Sequence, residues 1–245
     1  MKITKNILGK MNESNRRHAL VRQGDRVLIA LSGGPDSTAL AHLLSLWRRK
    51  HGLTLIAAHV HHGLSAQNDI ALSIARSTAK KLGIPFYFKK IRVRVLAKKG
   101  KLSLEEAGRD ARYAFFQSLS RRLKARKVAT GHTRDDQAET VMMRIIRGCG
   151  LHGLAGIPVK RPLGKAQVIR PLLNCSKSDL LRFLKENKIH FQTDRSNTSA
   201  RFTRNRVRNE LLPWIQKNLN PSIHDTLAGF AERAVSGRGR PPRGR

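Results

Sequence analysis

The stretch VLIALSGGPDSTALAHLL, residues 27–44, places a continuous apolar run directly before a cluster of small and turn-forming residues. A run without polar alternation is typical of a strand that is buried on both faces of a parallel sheet. The apolar residues after the cluster have helical spacing, so the pattern predicts a strand, a loop and a helix. A simple turn needs fewer such residues than the cluster from Ser32 to Ser37 contains. We therefore expect its backbone amides to approach a small anion.

The alternation of strand and helix continues along the chain. Further strands are predicted at LTLIAAHV, PFYFKKIRV and KVATGH, and further helices at AQNDIALSIARSTAKKLG, SLEEAGRDARYAFFQSLSRRLKA and RDDQAETVMMRIIRG. Ser103 and Glu106 have the spacing of a capping box at the start of the third helix. The buried face of the fourth helix is predicted to consist of Val141, Met142, Ile145 and Ile146. Four strand–helix units predict an α/β fold with a doubly wound parallel sheet and right-handed crossovers.

The pattern is looser in the last hundred residues. CGLHGLAGIPVKRPLGKA, residues 149–166, is predicted to be a loop, and QVIRPLL a strand. A helix is expected from Ser176 to about Asn187. The second half of DRSNTSARFTRNRVRNELLPWIQKNL also has a helical pattern, and residues 221–234 are predicted to form one more helix. At the other end of the chain, NESNRRHALV is predicted to form a short basic helix.

The charge of the chain is strongly positive, because 49 Lys and Arg residues face only 16 Asp and Glu residues and give a net charge of +33. Self-repulsion of this size costs stability unless a polyanion neutralises it. Nucleic acid is therefore favoured over a merely solvated basic surface or a membrane surface. Aromatic residues make up only 5% of the chain, which fits phosphate contact and shape recognition better than base stacking. A folded RNA is the favoured partner.

Cys149 and Cys175 are the two cysteines of the sequence, and they lack the C-x-x-C spacing of a zinc or redox site. A reducing compartment without disulfides is the default for such a chain. Apolar runs such as LTLIAAHV are far shorter than the roughly 20 residues that span a bilayer. The N-terminus has no signal-peptide pattern. We expect a soluble cytoplasmic protein that does not enter a membrane, and the sequence leaves its oligomeric state open, a dimer included.

The loop after the first strand is the usual phosphate site of an open parallel sheet. Gly33 and Gly34 permit close backbone approach, and the hydroxyls of Ser32 and Ser37 can donate hydrogen bonds to phosphate oxygens; a plain turn capped by Ser and Asp is the alternative. The loop is not a Walker A motif, because no Gly-Lys-Ser/Thr follows. A carboxylate beside phosphates is repelled, so Asp36 predicts either Mg²⁺ or a cationic second substrate.

The hexapeptide SGGPDS, residues 32–37, resembles the PP-loop signature of the ATP pyrophosphatase families. Several further motifs occur in order: HVHHGLS from His59, EEAGRDARYAF with Arg109, Arg112 and Tyr113, TGHTRDDQAETVMMRIIRGCGLHGL from Thr130, RPLL at Arg170, and DRSNTSARFTRNRVRNELLP from Asp194. In order and spacing they resemble the tRNA(Ile)-lysidine synthetase family over residues 26–213.

This resemblance implies an adenine nucleotide alpha hydrolase-like fold and a ligase that uses ATP, Mg²⁺ and free L-lysine. ATP would adenylate the oxygen at carbon 2 of the wobble cytidine in tRNA(Ile) with the CAU anticodon. The ε-amine of lysine would then displace AMP to give lysidine, AMP and pyrophosphate. A cytoplasmic setting in a bacterium or plastid is also implied. The residues expected to bind the nucleotide are Ser32, Gly33, Gly34, Pro35, Asp36, Ser37 and His59.

Asp136, Glu139 and Thr140 stand at positions i, i+3 and i+4 of the fourth helix, so they share one face where that helix begins at the carboxyl edge of the sheet. These groups could hold Mg²⁺, anchor the lysine ammonium or accept its proton. Alternatively, acidic residues in a first turn complement the helix dipole. Asp36 and Asp136 are the candidate Mg²⁺ ligands. The catalytic base is left open between Asp36, Asp136 and Glu139.

Two further catalytic residues are expected beside these acids. His132 ends the fourth strand, where it would contact the phosphates or the leaving pyrophosphate; a structural histidine is the alternative. Arg112 resembles a family arginine that faces the active site, and its guanidinium suits a phosphate or the lysine carboxylate; a solvated helix charge is the alternative. His59, His61 and His62 look like a metal cluster, but the resemblance places their loop near the nucleoside, and no zinc site is expected.

Arg204, Arg206 and Arg208 are predicted to bind tRNA phosphates or to line the mouth of the active site, because three arginines in five residues are costly to bury. GCGLHG, residues 148–153, matches the dinucleotide-binding pattern G-x-G-x-x-G. It follows a helix rather than a strand, however, so we interpret it as a flexible loop.

Four segments are predicted: an N-terminal basic helix in residues 1–25, a PP-loop ATP-binding catalytic domain in residues 26–190, a basic helical extension in residues 191–235, and a disordered basic tail in residues 236–245. Members of the family commonly continue into further C-terminal domains. We therefore expect a short form of the synthetase, in which the basic tail supplies some of the contacts to tRNA phosphates.

Three other functions compete with this interpretation. A PP-loop enzyme that thiolates tRNA would use reactive cysteines or an iron–sulfur cluster, and the two cysteines here lack paired spacing. An amidation ligase would bring an ammonia-producing domain, which this sequence does not supply. An inactive RNA-binding protein on the same fold is disfavoured, because the crevice residues Ser32, Asp36, Ser37, Asp136 and Glu139 are all present.

Overall fold

The computed structural model describes residues 2–63, 66–150, 153–193 and 203–236. The strands are β1 (Arg26–Ala30), β2 (Thr54–His61), β3 (Phe86–Lys90), β4 (Lys127–Ala129), β5 (Lys160–Leu163) and β6 (Ala166–Ile169). The helices are α1 (Lys2–His18), α2 (Pro35–His51), α3 (Ala66–Lys81), α4 (Val93–Gly100), α5 (Leu104–Arg122), α6 (Arg134–Ile146), α7 (Lys177–Glu186), α8 (Thr203–Arg206), α9 (Leu212–Asn218) and α10 (Ile223–Ser236). A π-helical turn, Val207–Leu211, joins α8 to α9. None of the helices in these ranges is long and apolar enough to cross a membrane.

The six strands form one sheet in the order β3-β2-β1-β4-β6-β5. Neighbouring strands are parallel except β5, which is antiparallel to β6. The chain moves outward from β1 through β2 to β3 and then returns to the other side of β1 as β4. This reversal puts the topological switch point between β1 and β4, the usual position of a ligand crevice in such a sheet. The α/β doubly wound prediction is confirmed.

The sheet is buried on both faces, as the apolar run in β1 predicted. Leu28 and Ile29 are both fully buried, and they belong to different hydrophobic clusters because successive side chains of a strand point to opposite faces. Helices α1, α2 and α7 cover the face of Ile29, with Trp47 among the buried residues. Helix α5 covers the other face through Phe116. A third cluster joins α6 to the π-helical turn and α10.

Several predicted boundaries were wrong. The N-terminal helix begins at Lys2 rather than in the NESN segment, and it buries Ile3, Ile7 and Met11 on one side. Helix α4 begins at Val93, where the third strand was predicted to continue. The strand predicted at QVIRPLL ends at Ile169.

The predicted loop over residues 149–166 contains β5, an edge strand that the sequence analysis missed. It is four residues long and includes Pro162, which lacks an amide donor and is tolerated only at an edge. Gly164, with φ +57°, makes the turn into β6. The signal of this hairpin was therefore hidden in a segment rich in Gly and Pro.

The predicted buried face of α6 was only partly right. Val141 is fully buried in the third cluster, and Met142 packs against it. Ile145 and Ile146, in contrast, are 45% and 53% exposed. They lie in the last turn of the helix, beyond the residues that contact this cluster.

Two segments with predicted roles lie outside the described residues. They are residues 194–202 of the basic motif and residues 237–245 of the predicted tail. The four predicted segment boundaries, and the role given to the tail, stay predictions.

Candidate active site

The loop after β1 is shaped so that the backbone can approach a ligand closely. Gly33 has φ +85°, and a Cβ atom placed on it would lie 2.5 Å from the carbonyl oxygen of Ala71 in α3. Only glycine fits this position. Helix α2 begins at Pro35 with Gly34 as its N-cap, which has no side-chain oxygen to cover the first-turn amides. These amides are open to an anion.

The two loop serines are held together at the start of α2. Ser32 Oγ lies 2.9 Å from Ser37 Oγ, which also accepts a hydrogen bond from the Ser32 amide at 3.1 Å. Ser37 Oγ donates to the carbonyl of Gly34 at 3.1 Å. Ser32 is exposed and Ser37 is buried, so the outer hydroxyl faces a ligand while the inner one braces the loop.

The exit of β4 packs directly against the same loop. A Cβ atom on Gly131 would lie 3.0 Å from the carbonyl carbon and oxygen of Asp36 and from the amide nitrogen of Ser37. This close approach brings the end of β4 and the residues after it beside the first turn of α2. The sequence analysis did not single out Gly131, although it quoted the TGHT motif that contains it.

Asp36 is a half-buried carboxylate whose Oδ1 atom is buried and has no hydrogen-bond partner among the described residues. Burial raises its pKa to about 7, with Lys177 opposing the rise and Asp136 adding to it. An unpaired carboxylate oxygen beside a phosphate loop fits a cation. No group of three potential metal-ligating side chains occurs in the described ranges, but Mg²⁺ commonly uses one or two carboxylates and completes its shell with phosphate oxygens and water.

One carboxylate oxygen of Asp136 caps helix α6. The other faces basic side chains in the crevice at the switch point between β1 and β4. Its Oδ2 accepts hydrogen bonds from the amide and hydroxyl of Thr133 at 2.9 and 3.0 Å, which completes a capping box at the start of α6. Its Oδ1 lies 3.7 Å from Lys177 Nζ and 3.4 and 3.5 Å from Arg204 and Arg208. Burial would raise the pKa of Asp136, but Lys177, the Thr133 amide and Arg204 together hold it below its usual value.

Glu139 is almost completely buried, with 2% of the residue exposed. Its carboxylate accepts hydrogen bonds from Arg204 Nε at 2.9 Å and from Arg208 Nε and Nη2 at 2.5 and 2.7 Å. Arg204 and Arg208 stand four residues apart across α8 and the π-helical turn, so both reach the same side. The acidic face predicted on α6 is thus buried under two guanidinium groups.

Thr140, predicted on the acidic face of α6, and Arg206, predicted with Arg204 and Arg208 to bind tRNA, do not join this cluster. Thr140 Oγ1 donates to the backbone carbonyl of Asp136 at 2.8 Å, so its hydroxyl is used within the helix. Arg206 is exposed and lies 3.7 Å from Glu210. The predicted contact of Arg204, Arg206 and Arg208 with tRNA stays a prediction, and in this structure Arg204 and Arg208 line the crevice.

His132 follows β4 and is half-buried. Its Nδ1 lies 2.9 Å from Thr130 Oγ1. Burial, reinforced by Arg170, lowers the pKa of His132 to about 4. The imidazole is therefore neutral near pH 7, where it can exchange hydrogen bonds but does not supply a positive charge.

His59 ties the end of β2 to the nucleotide loop. Its Nδ1 lies 2.9 Å from the carbonyl oxygen of Leu31, which can only accept, so Nδ1 carries the proton. Its Nε2 is buried and has no partner among the described residues. Burial lowers the pKa of His59. The His59 side chain thus fixes the end of β1 before the loop, and its predicted contact with the nucleotide stays a prediction.

The two neighbouring histidines engage separate partners. His61 Nε2 lies 3.0 Å from Asp69 Oδ1, and His62 Nε2 lies 3.3 Å from Arg112 Nη2. Burial lowers the pKa of His62 to about 4. Arg112 is exposed on α5 and reaches the loop after β2 through this contact.

Lys177 is a crevice residue that the sequence analysis missed. Its amide donates to Asp135 Oδ2 at 2.7 Å, and its Nζ lies beside Asp136. Ser176 caps α7 by accepting from the Asp179 amide at 3.1 Å. A predicted helix start directly after the RPLL motif was the available signal, because it places the first turn at the carboxyl edge of the sheet.

Comparisons with known proteins agree with this architecture. A family model described as the PP-loop domain matches residues 3–215. The tRNA(Ile)-lysidine synthase of Clostridium acetobutylicum is 39% identical over 219 residues, which cover 88% of this chain and 46% of the relative. That of Geobacter sulfurreducens is 40% identical over 228 residues, which cover 92% and 47%. The chain spans about half the length of the curated relatives it matches.

Two solved structures have a similar fold. The U34-tRNA thiolase NcsA from Methanococcus maripaludis, with its [4Fe-4S] cluster, has a TM-score of 0.79 at 20% identity and covers 96% of this chain and 79% of its own. The NH₃-dependent NAD synthetase from Campylobacter jejuni has a TM-score of 0.51 at 18% identity and covers 100% and 98%. At these identities the likeness establishes the fold alone.

Proposed function

Because this chain belongs to the PP-loop domain family and its curated relatives are tRNA(Ile)-lysidine synthases, we propose that it ligates L-lysine to a tRNA at the expense of ATP. The acceptor is carbon 2 of the wobble cytidine of tRNA(Ile) with the CAU anticodon. The products are lysidine, AMP and pyrophosphate. The place of action is the cytoplasm, where these substrates meet.

The observation that carries the proposal is the buried acidic pair of α6 beside an anion-binding loop. Asp136 is 8% exposed and Glu139 is 2% exposed, and both lie across the crevice from a loop built to receive phosphates. Two carboxylates in such a place suit a cationic second substrate, because they would repel an anionic one. The guanidinium groups of Arg204 and Arg208 now hold these carboxylates, and a lysine ammonium has the same charge.

In the first step, the loop residues Ser32 to Ser37 hold the phosphates of ATP against the first turn of α2. The oxygen at carbon 2 of the cytidine attacks the α-phosphorus, a P–O bond forms, and pyrophosphate leaves. Asp36 and Asp136 are the residues that would hold Mg²⁺, which when bound neutralises phosphate charge. Arg112, which contacts His62, and His132, which contacts Thr130, would supply a guanidinium and a neutral imidazole to the phosphate oxygens.

In the second step, the lysine ammonium must lose a proton before its nitrogen can attack. A carboxylate with a pKa near that of the medium is an effective acceptor, and burial raises the pKa of Asp36 to about 7. We assign the proton to Asp36 when no cation is bound to it, while Asp136 and Glu139 orient the amino acid. The neutral amine then forms the C–N bond at carbon 2, and the C–O bond to AMP breaks.

The test is transfer of labelled lysine to an isoleucine tRNA transcript with the CAU anticodon, in the presence of ATP and Mg²⁺. We expect incorporation with the intact protein and its loss in Asp36→Ala. Asp110→Ala, at an exposed position on α5, is the matched control and should retain incorporation. The proposal would be refuted if the intact protein showed neither incorporation of lysine nor tRNA-dependent release of pyrophosphate.

A further inference from the structure

Three arginines surround one tyrosine on the wall of the crevice formed by α5 and the β5–β6 hairpin. The Cζ atoms of Arg161 and Arg109 lie 4.2 and 5.3 Å from the centre of the Tyr113 ring. Arg170 follows β6, is only 2% exposed, and donates a hydrogen bond to the carbonyl of Pro158. Arg109 is exposed and Arg161 is half-buried. We call Arg109, Arg161 and Arg170 the guanidinium wall.

Among the described residues, the guanidinium wall has no carboxylate partner. The ion pairs of described arginines involve other residues, namely Arg16, Arg17, Arg134, Arg182, Arg204, Arg206 and Arg208. The Nε atoms of Arg161 and Arg170 are buried and have no hydrogen-bond partner there. Burying a cation without a counterion is costly. Arg204 and Arg208, on the opposite wall, are both matched to carboxylates.

The electrostatic effect on Tyr113 agrees with an uncompensated positive charge. Burial alone would raise the pKa of the Tyr113 phenol, yet Arg161, Arg109 and Arg170 together lower it. The Tyr113 ring lies against the guanidinium groups of Arg161 and Arg109 and so positions them. Stacking on an aromatic ring holds an arginine with its donor edge free.

The wall borders the same crevice as the acidic pair. Arg170, Asp136, Arg204 and Arg109 all influence the pKa of His132, so charges from both groups lie near this imidazole. The ends of β4 and β6 lie side by side, with Ala129 paired to Ile169. His132, which follows β4, is therefore close both to the acidic pair of α6 and to the guanidinium wall.

The distance between the guanidinium wall and the loop after β1 indicates which anion the wall binds. The loop follows β1, and the sheet order places β4 between β1 and β6. Two strand spacings put Arg170, which follows β6, roughly 10 Å from the loop that is proposed to receive the ATP phosphates, and Arg161 on β5 lies one strand further out. An RNA strand carries phosphates on both sides of every nucleotide, at distances of this order from the base. The triphosphate of ATP is already assigned to the loop after β1.

We propose that Arg109 and Arg161, which stack on Tyr113 and have the buried Arg170 behind them, bind a phosphodiester group of the RNA strand next to the nucleotide that enters the crevice. The proposal rests on the proposed function, because it takes the reacting base to be part of an RNA. The wall then holds the strand while the acidic wall holds the second substrate. Pyrophosphate carries the same kind of anionic group as an RNA phosphodiester. The experiment must therefore distinguish binding of RNA from binding of pyrophosphate.

The test measures the affinity of the full chain for the isoleucine tRNA transcript without ATP, over a series of salt concentrations. Arg161→Gln and Arg109→Gln remove one charge each at positions that are not fully buried. We expect about a tenfold loss of affinity at low salt for each, and a salt slope lower by about one, because one phosphate contact disappears. Arg121→Gln is the matched control: Arg121 is an exposed arginine of the same helix, at its other end, and should change affinity less than about twofold.

Each other result has a defined meaning. If Arg161→Gln and Arg121→Gln lower tRNA affinity equally, or if neither lowers it, the wall does not bind the RNA. The proposed function is unaffected by that result. The wall proposal is also overturned if the arginine variants bind pyrophosphate or free lysine more weakly than the parent but bind tRNA equally well. In that case the arginines bind the anionic group of a small molecule rather than an RNA phosphate. If Arg161→Gln lowers tRNA affinity while the intact protein neither transfers lysine nor releases pyrophosphate with tRNA, the wall is supported and the proposed function is refuted.

Discussion

Arg208 donates two hydrogen bonds to the carboxylate of Glu139, from Nε at 2.5 Å and from Nη2 at 2.7 Å. A bidentate pair of this kind is among the stronger polar contacts in proteins. The carboxylate is buried and the arginine side chain is 25% exposed, so the pair can open without unfolding the sheet. A cationic substrate that binds Glu139 would therefore have to displace Arg208.

The first prediction concerns the stability of this pair. Arg208→Ala leaves Glu139 with only Arg204 as a partner, and a buried carboxylate that has lost its main partner costs about 2 kcal/mol. We expect a loss of this size in the free energy of unfolding by denaturant. Arg206→Ala is the control, because Arg206 is exposed and should cost less than about 0.5 kcal/mol. Equal losses for the two variants would mean that the pair contributes no more than a surface charge.

The second prediction concerns the pH dependence of stability at Asp36. Its pKa is raised from 3.8 to about 7 in the folded protein, so the folded state keeps a proton that the unfolded state has released. Stability must fall as pH rises between these values. Asp36→Asn removes this effect. Relative to the parent, we expect the unfolding free energy of the variant to rise by about 4 kcal/mol between pH 4 and pH 8. A difference that is constant with pH would contradict a raised pKa.

The third prediction concerns Mg²⁺ in the absence of substrates. If Asp36 and Asp136 hold the ion, Mg²⁺ stabilises the folded state and raises the melting temperature at pH 8 by about 3 °C. Asp36→Asn should abolish this rise, whereas Asp110→Asn should retain it. A similar rise in all three proteins would point to general screening of charge instead.

The fourth prediction concerns the loop after β1. Gly33→Ala combines a left-handed backbone with a Cβ atom 2.5 Å from the carbonyl oxygen of Ala71. We expect it to cost about 3 kcal/mol of stability and to weaken ATP binding. Gly9→Ala, in α1 with nothing within 4 Å of the added carbon, should stabilise the protein by about 0.5 kcal/mol. Unaltered stability and ATP affinity in Gly33→Ala would contradict the packing of the loop against α3.

Much of the fold could be predicted because it follows local patterns. The apolar run of β1, the glycines of the loop and the capping box at Ser103 and Glu106 all depend on nearby residues, and the capping box is present in the structure. Strand β5 could not be found in this way, because its pairing with β6 outweighs the poor strand propensity of Pro162. The exposure of Ile145 and Ile146 likewise depends on which elements cover α6, which the helical period does not contain.

The candidate site was predictable in its carboxylates but not in their partners. Asp136 and Glu139 share a helix face because of their spacing, which the sequence displays directly. Their pairing with Arg204 and Arg208 joins residues more than 60 positions apart, and it depends on how α8 packs on α6. The same holds for the guanidinium wall, since Arg109 and Arg161 meet at Tyr113 only in the folded chain.

The most direct measurement follows the two chemical steps separately in a single turnover with the CAU isoleucine tRNA transcript. Pyrophosphate release reports adenylation, and labelled lysine in the tRNA reports ligation. We predict that the intact protein performs both steps. Glu139→Gln, checked for folding by circular dichroism, should release pyrophosphate at a rate within about tenfold of the parent and transfer lysine at least about a hundredfold more slowly. Lysine transfer that is unaffected in Glu139→Gln, or lost in equal proportion to pyrophosphate release, would contradict the assignment of the acidic pair to the amino acid.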